Sequence, residues 1–365
     1  MTDTTLSPLH DRHVALGAKF SEFGGWQMPL QYSGVVAEHH RVRTAVGVFD
    51  VSHLGKLWVR GPGAAEFLNR CLANDLERIG AGHAQYTLAC NDTGGVVDDL
   101  IAYRIGDDEL LLIPNAANSA AVHDLLVAAA PPGIAIHNGH TEHAVIAVQG
   151  PNADETLAAL GLPVGMDYMA FATGSWGGTA LTVCRTGYTG ERGYELVVAA
   201  EAAGKLWDAV LAAGAEYDIL PAGLGARDTL RTEMGYPLHG QDLSPTVSAL
   251  ESGVGWAIGW NKPEFWGAES LKALKAAGLT RLLRGLKSTG RAIPRAHMEV
   301  VDDAGNHLGE TTSGTFSPTL GVGIGLALLD RSVPLDARVG VVVRRRTEEF
   351  EVVKPPFVNP SVRQA

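Results

Sequence analysis

One short pattern occurs twice in the chain and narrows the folds open to it: an apolar strand, a Gly-Pro step, then an amphipathic helix. In the first copy Leu57 and Val59 alternate along Lys56 to Arg60, and Gly61-Pro62 follows. Ala64, Phe67, Leu68 and Cys71 then recur at helical spacing. Proline fits the first turn of a helix, where its missing N–H has no partner to lose. In the second copy Ala144 to Val148 reads as a strand, and Gln149-Gly150-Pro151 opens a helix over Asn152 to Leu160. Between the copies lie strands at Gln85 to Cys90, Val96 to Ile105 and Glu109 to Ile113. Turns at Asn91-Asp92-Thr93-Gly94-Gly95 and Gly106-Asp107-Asp108 join them. Turns this tight join antiparallel neighbours, so the pattern predicts two related α+β units rather than a long parallel wound sheet.

Further along, Glu201 to Ala213 carries Leu206, Trp207, Val210 and Leu211 on one helical face, and a second helix starts near Leu224. After about residue 275 the character changes. Leu282 to Leu286, Met298 to Val301, Glu310 to Ser313, Gly323 to Leu328, Val339 to Val343 and Glu349 to Val353 read as strands with few helical periods between them. A small C-terminal β-barrel or sandwich is expected there, behind a helical connector near Lys272 to Thr280.

With 46% hydrophobic and 19% charged residues over 365 positions, such a chain can bury more than one core without a disulfide scaffold. Its three cysteines, Cys71, Cys90 and Cys184, form no CxxC pair, which argues against a zinc ribbon or a secreted disulfide framework. A net charge of −11 disfavours nonspecific nucleic-acid binding. The basic run Arg344-Arg345-Arg346 is read as a turn between strands. No stretch approaches the roughly 18–20 apolar residues of a membrane helix. Met1 to Thr5 lacks the character of a signal peptide, so a cytoplasmic protein is expected.

Three runs could carry chemistry. Gly94-Gly95 delivers a strand with adjacent carboxylates, Asp98 and Asp99, inside an apolar run. Alternation puts Asp99, Ile101 and Tyr103 on one face and Asp98, Leu100 and Ala102 on the other. Wherever one face is covered, one acid must turn inward, which is costly without a hydrogen-bonding partner; a solvated strand-start cap is the alternative. In the second run, Arg185 to Leu196, Glu195 heads an apolar strand after a Gly-rich loop, where it could grip paired N–H groups, although a simple hairpin also explains the glycines. The third, Pro221 to Tyr236, enters a helix with Arg227-Asp228 in its first turn, either as an ion pair or cap or as a guanidinium aimed at a ligand. Its third glycine is missing for a dinucleotide fingerprint. His137, His140 and His143 lack a fourth ligand and are read as a solvated loop rather than a metal site. No P-loop, nucleophile elbow or Cys–His signature occurs, so the reacting atom is expected to come from a cofactor.

Eight runs together resemble the glycine cleavage T-protein (aminomethyltransferase) family along essentially the whole chain. They are Phe23 to Leu30, Val48 to His53, Gly94 to Leu100, Val148 to Pro151, Arg185 to Glu195, Gly223 to Leu230, Gly240 to Asp242 and Thr312 to Gly321. The resemblance implies a three-domain, cloverleaf-like α+β fold with antiparallel sheets. Its folate-binding region would span 1–275, as two intertwined subdomains (about 1–52 with 143–275, and 53–142), with a C-terminal β-barrel over 281–365. It also implies a reaction in which the methylene of an aminomethyl group on the lipoyl arm of the H-protein passes to tetrahydrofolate, with release of ammonia. The family's key acid matches the Asp98-Asp99 pair, and strand register puts it at Asp99, or at Asp98 if a bulge intervenes. Glu195 matches the acid that grips the pterin, and Arg227 the basic residue beside the ligand. Tyr188, Tyr236, Tyr86, Tyr103 and Asn115 match residues bordering the folate, and Arg363 a residue of the C-terminal tail. His239 stands where a tyrosine is common in the family. An iron–sulfur-assembly relative is disfavoured because Tyr236 to Asp242 lacks cysteine. A standalone folate-dependent demethylase and a non-catalytic folate-binding protein are the remaining alternatives.

Overall fold

The computed structural model describes residues 4–362. Both Gly-Pro steps join a strand to a helix as read: Leu57–Arg60 feeds Ala64–Cys71, and His143–Gln149 feeds Ala153–Ala158. The two strands belong to different sheets. Leu57–Arg60 lies in a five-stranded antiparallel sheet, ordered His83–Cys90, Val96–Arg104, Glu109–Ile113, Leu57–Arg60, Ala135–Asn138. His143–Gln149 lies in a six-stranded sheet, ordered Phe171–Trp176, Thr179–Cys184, Gly193–Ala199, His143–Gln149, Gly47–Asp50, Leu220–Pro221. Its pairings are antiparallel except at the last edge.

The two sheets share a core. Phe49, Val145, Ala147 and Val197 from the six-stranded sheet pack with Ala84, Tyr103 and Leu111 from the five-stranded one. On its other face the six-stranded sheet is covered by the helix Ala200–Ala213, through Leu206, Trp207 and Val210. His143–Gln149 is therefore buried on both sides. That accounts for its unbroken apolar run, where a half-buried strand would alternate. The outer face of the five-stranded sheet packs on Phe67, Leu68 and Cys71 of the first Gly-Pro helix and on Val122 and Leu126 of Ser119–Ala129.

The C-terminal part is a closed barrel, ordered Arg281–Ser288, Val322–Asp330, His307–Ser317, Glu299–Val301, Arg338–Val343, Arg346–Val353. Leu286, Val300, Val341, Phe350 and Val352 fill it. Arg344 and Arg345 form its last hairpin turn with φ of 47° and 70°. Three features depart from the sequence reading. A small sheet of Thr5–Leu6, Trp26–Gln31 and Lys19–Phe23 precedes the first unit. The connector helix starts earlier than expected, at Ala268–Ala277. The three spaced histidines are not a solvated loop. His137 sits in an edge strand, while His140 packs on Trp26 and His143 on Trp58, ring centroids 5.1 and 4.5 Å apart. Aromatic neighbours distant in sequence half-bury His140 and His143, which local polarity does not reveal, while His137 stays exposed. Among the described residues no helix is long and apolar enough to cross a membrane.

Candidate active site

The strand Val96–Arg104 builds one wall. Gly95 precedes it because a Cβ there would lie 1.9 Å from the Pro245 carbonyl oxygen. A bulge follows at once: Cys90 pairs with Val96 and Ala89 with Asp98, leaving Val97 as the extra residue. Because the bulge lies before the acid pair, alternation from Asp98 onward is regular.

Asp98 is fully buried. It accepts hydrogen bonds from the Asn115 backbone N–H at 3.0 Å, from Asn115 Nδ2 at 2.9 Å and from Asn118 Nδ2 at 2.7 Å. Asp99 faces a cavity instead. It accepts from the Tyr86 hydroxyl at 3.0 Å and from Asn115 Nδ2 at 2.9 Å. Both faces of the strand are thus covered, and neither acid is a solvated cap. Burial, and then the charge of Asp99, push the Asp98 carboxyl up to about 8 against its hydrogen bonds to Asn118 and Asn115. Burial also raises Asp99. The pair therefore reaches its full double charge only well above the ordinary carboxylate range.

The facing wall comes from the six-stranded sheet and the helix Leu224–Met234. Glu195, in Gly193–Ala199, accepts from the Thr186 hydroxyl at 2.5 Å. With that hydrogen committed, Thr186 Oγ1 accepts from Tyr103, 3.1 Å away. The Arg227 guanidinium lies 4.7 Å above the Tyr188 ring, and the Tyr188 hydroxyl donates to the Pro237 carbonyl at 2.5 Å. The Arg227 guanidinium makes no hydrogen bond among the described residues. Asp228 pairs with Arg231 at 2.7 Å rather than with Arg227, which leaves Arg227 for the cavity. His53 also lines the cavity. Its Nδ1 is buried with no hydrogen-bond partner, and burial and the Arg227 charge depress the imidazole to about 3, so it stays neutral.

These walls enclose a cavity of about 340 Å³. An outer space of about 980 Å³ shares Tyr86, Tyr168, Met169, Tyr236 and Trp256 with it. Of the residues singled out in the sequence, Asp99, Glu195, Arg227, Tyr188, Tyr236, Tyr86 and Asn115 all line the cavity. Tyr103 stands one residue behind it, touching Thr186. Arg363 lies outside the described residues. The sequence reading did not single out His53, Thr186, Asn118 or Trp256 as site residues. His53 and Thr186 stand in quoted runs, and Asn118 and Trp256 lie in short turns without a motif.

The family model for the GCVT N-terminal domain matches residues 9–262, and that for the glycine cleavage T-protein C-terminal barrel domain matches residues 281–359. The chain belongs to the glycine cleavage T-protein family. An aminomethyltransferase from Frankia alni is 59% identical over 365 residues, covering 100% of both chains. One from Mycobacterium tuberculosis is 58% identical over 360 residues, 98% of this chain and 97% of its own. The crystal structure of glycine cleavage system aminomethyltransferase T from Bartonella henselae matches with a TM-score of 0.93 at 32% identity, over 98% of this chain and 99% of that one. The resemblance carried by eight short runs thus holds along the whole T-protein chain, and its activity is that of an aminomethyltransferase, a one-carbon group transferase.

Proposed function

We propose that the enzyme takes tetrahydrofolate as its one-carbon acceptor and the aminomethylated lipoyl arm of the H-protein as its donor, releasing ammonia. One observation carries this reading: a single cavity sets buried carboxylates on one wall against Glu195 and Arg227 on the other, with spare hydrogen-bonding capacity on both sides. Glu195 has one oxygen bound by Thr186 and the other open, the Arg227 guanidinium has no hydrogen-bond partner among the described residues, and His53 Nδ1 is orphaned. Groups left this way in an enclosed site fit a polar heterocycle that both donates and accepts hydrogen bonds.

Tetrahydrofolate supplies the nucleophilic nitrogen that takes the methylene. Glu195 accepts from amino-type N–H groups, and Arg227 donates to a carbonyl or acidic group. Tyr188 and Tyr236, ring centroids 5.7 Å apart, form an aromatic floor. Asp99 holds an N–H next to the reacting centre and stabilises positive charge developing there, in a cavity where low polarity strengthens the effect. Tyr86 and Asn115 fix its carboxylate in place. Two bonds form from the methylene carbon to folate nitrogens as its C–S and C–N bonds break, and the two displaced N–H protons leave with the lipoyl sulfur as a thiol and with the amine as ammonia. We assign the reaction to the cytoplasm, in keeping with three cysteines that are all free and buried.

The deciding experiment incubates the purified chain with tetrahydrofolate and aminomethylated lipoyl H-protein and measures ammonia and methylene-tetrahydrofolate. Formation of both supports the reading. Product from dimethylglycine, with none from the H-protein adduct, would point to a demethylase.

A further inference from the structure

A closed ring of hydrogen bonds ties the acid pair to a residue outside the cavity. The segment after the helix Leu224–Met234 turns at Gly235, with φ of +65°, and brings His239 beside the start of the carboxylate strand. His239 Nε2 lies 2.9 Å from the Val96 carbonyl oxygen, and its Nδ1 lies 2.9 Å from Asn118 Nδ2. Asn118 Nδ2 in turn lies 2.7 Å from Asp98 Oδ1. The ring starts and ends on the same strand, two residues apart.

The donors in this ring are determined by chemistry. A carbonyl oxygen only accepts, so His239 Nε2 carries the hydrogen. A neutral imidazole with Nε2–H has a bare Nδ1, which accepts. Asn118 must then present its NH₂ to His239 and, with its second hydrogen, to Asp98. Turned the other way, the amide would set its oxygen against both a carboxylate oxygen and a bare ring nitrogen. His239 therefore selects one of the two orientations of Asn118. That orientation is the one that puts an N–H on the buried Asp98.

We propose that His239 is a positioning residue for the acid pair: by locking the Asn118 amide it keeps an N–H on Asp98 and so sets the pH range in which the Asp98–Asp99 pair is ionised. Asp98 touches Asp99 through Asn115, whose Nδ2 lies 2.9 Å from an oxygen of each. The other titratable groups facing the pair are Tyr86 from the neighbouring strand and Tyr188 from the loop after Thr186. Neither takes part in the ring. An N–H on a carboxylate favours its charged form, so losing it raises the pair's proton affinity.

The test compares wild type with His239→Ala, His239→Gln and Asn118→Ala, in the full chain. Aspartate labelled with ¹³C at Cγ reports the titration of the pair directly, without reference to any reaction. We expect the pair's apparent titration to move up by about one pH unit in His239→Ala and Asn118→Ala, and to return most of the way in His239→Gln, which keeps an acceptor and a donor. The acid limb of kcat should move with it, while KM for tetrahydrofolate changes less than about twofold. This kinetic arm rests on the folate reading; the labelled titration does not. If wild type fails to turn over while the titration shifts as stated, the folate reading falls and the positioning role stands. A His239→Ala titration superimposable on wild type overturns the role, all the more if Asn118→Ala shifts.

Discussion

Trp256 stacks on Tyr86 with ring centroids 5.3 Å apart and planes inclined by 24°, and the Tyr86 hydroxyl donates to Asp99. Trp256 is 66% exposed, the most exposed large apolar side chain among the described residues, and it lines both the inner cavity and the outer space. An indole left open to water at a cavity mouth is poorly explained by core packing. It is well placed as a platform for a flat ligand.

Trp256→Ala should therefore raise KM for tetrahydrofolate about three- to tenfold, the range expected for one aromatic stack. Thermal stability should stay within a degree or two, because the ring is largely solvated already. A KM equal to wild type would remove Trp256 from the binding surface.

Asp99→Asn keeps the size of the side chain and removes its charge. Because burial already raises the Asp99 carboxyl, the substitution should leave the melting temperature unchanged or slightly higher. Turnover should fall by about a hundredfold or more, as expected when a group aimed at developing charge is neutralised. Steady-state kinetics on a folded variant checks this. Turnover within a few-fold of wild type would shift the catalytic assignment away from Asp99.

Glu195→Gln tests the opposite wall. Thr186 and Tyr103 hold the side chain in place, so the amide should occupy the same position. It loses one acceptor and the charge that strengthens the other. Titration calorimetry should show tetrahydrofolate binding weakened by about tenfold to a hundredfold, the worth of a charged hydrogen bond. Unchanged affinity would show that Glu195 does not hold the ligand.

Acid sensitivity should come in part from Glu233, outside the cavity. Burial disfavours its charge, but His39, Ser317 and Arg43 outweigh that and hold the carboxyl down to about 2, against an ordinary value of 4.5. A depressed acid stabilises the fold fully above its unfolded value and loses that contribution as pH falls from about 4.5 towards 2. Denaturant titrations should show wild type more stable than Glu233→Gln near neutrality, with the gap closing across that window. A gap that stays constant to pH 2 would contradict the ion-pair account.

How much of this was legible in the sequence depends on the range of the interactions. The Gly-Pro steps, the hairpin at Arg344-Arg345 and the helix carrying Arg227 are set by local backbone preferences, and each could be read from a few adjacent residues. Strand alternation likewise placed Asp99 on the face of Tyr103, since a period of two survives any tertiary context until a bulge breaks it. The bulge at Val97 was not readable, but it falls just before the pair and changes nothing after it. The burial of Asp98 was missed because its partners, Asn115 and Asn118, sit seventeen and twenty residues away. His140 and His143 were misread for the same reason: Trp26 and Trp58, which cover them, are remote in the chain. Trp256 gave no signal at all, and His53 only its place in a quoted run, since an orphan imidazole nitrogen and a half-solvated stack exist only once several elements have met.

The helix Leu224–Met234 carries Arg227 in its first turn and, in its last two, the charges that face the barrel. Arg231 reaches Ser313 at 3.0 Å and Asp242 at 2.9 Å, while Glu233 takes Ser317 and Thr319. Cutting the chain before the barrel would leave a buried carboxylate without the two hydroxyls the barrel gives it, at the foot of the rod that aims Arg227. The barrel is thus a keystone for the cavity wall. Damage to it should be felt first as lost ligand affinity, some distance from where the change was made.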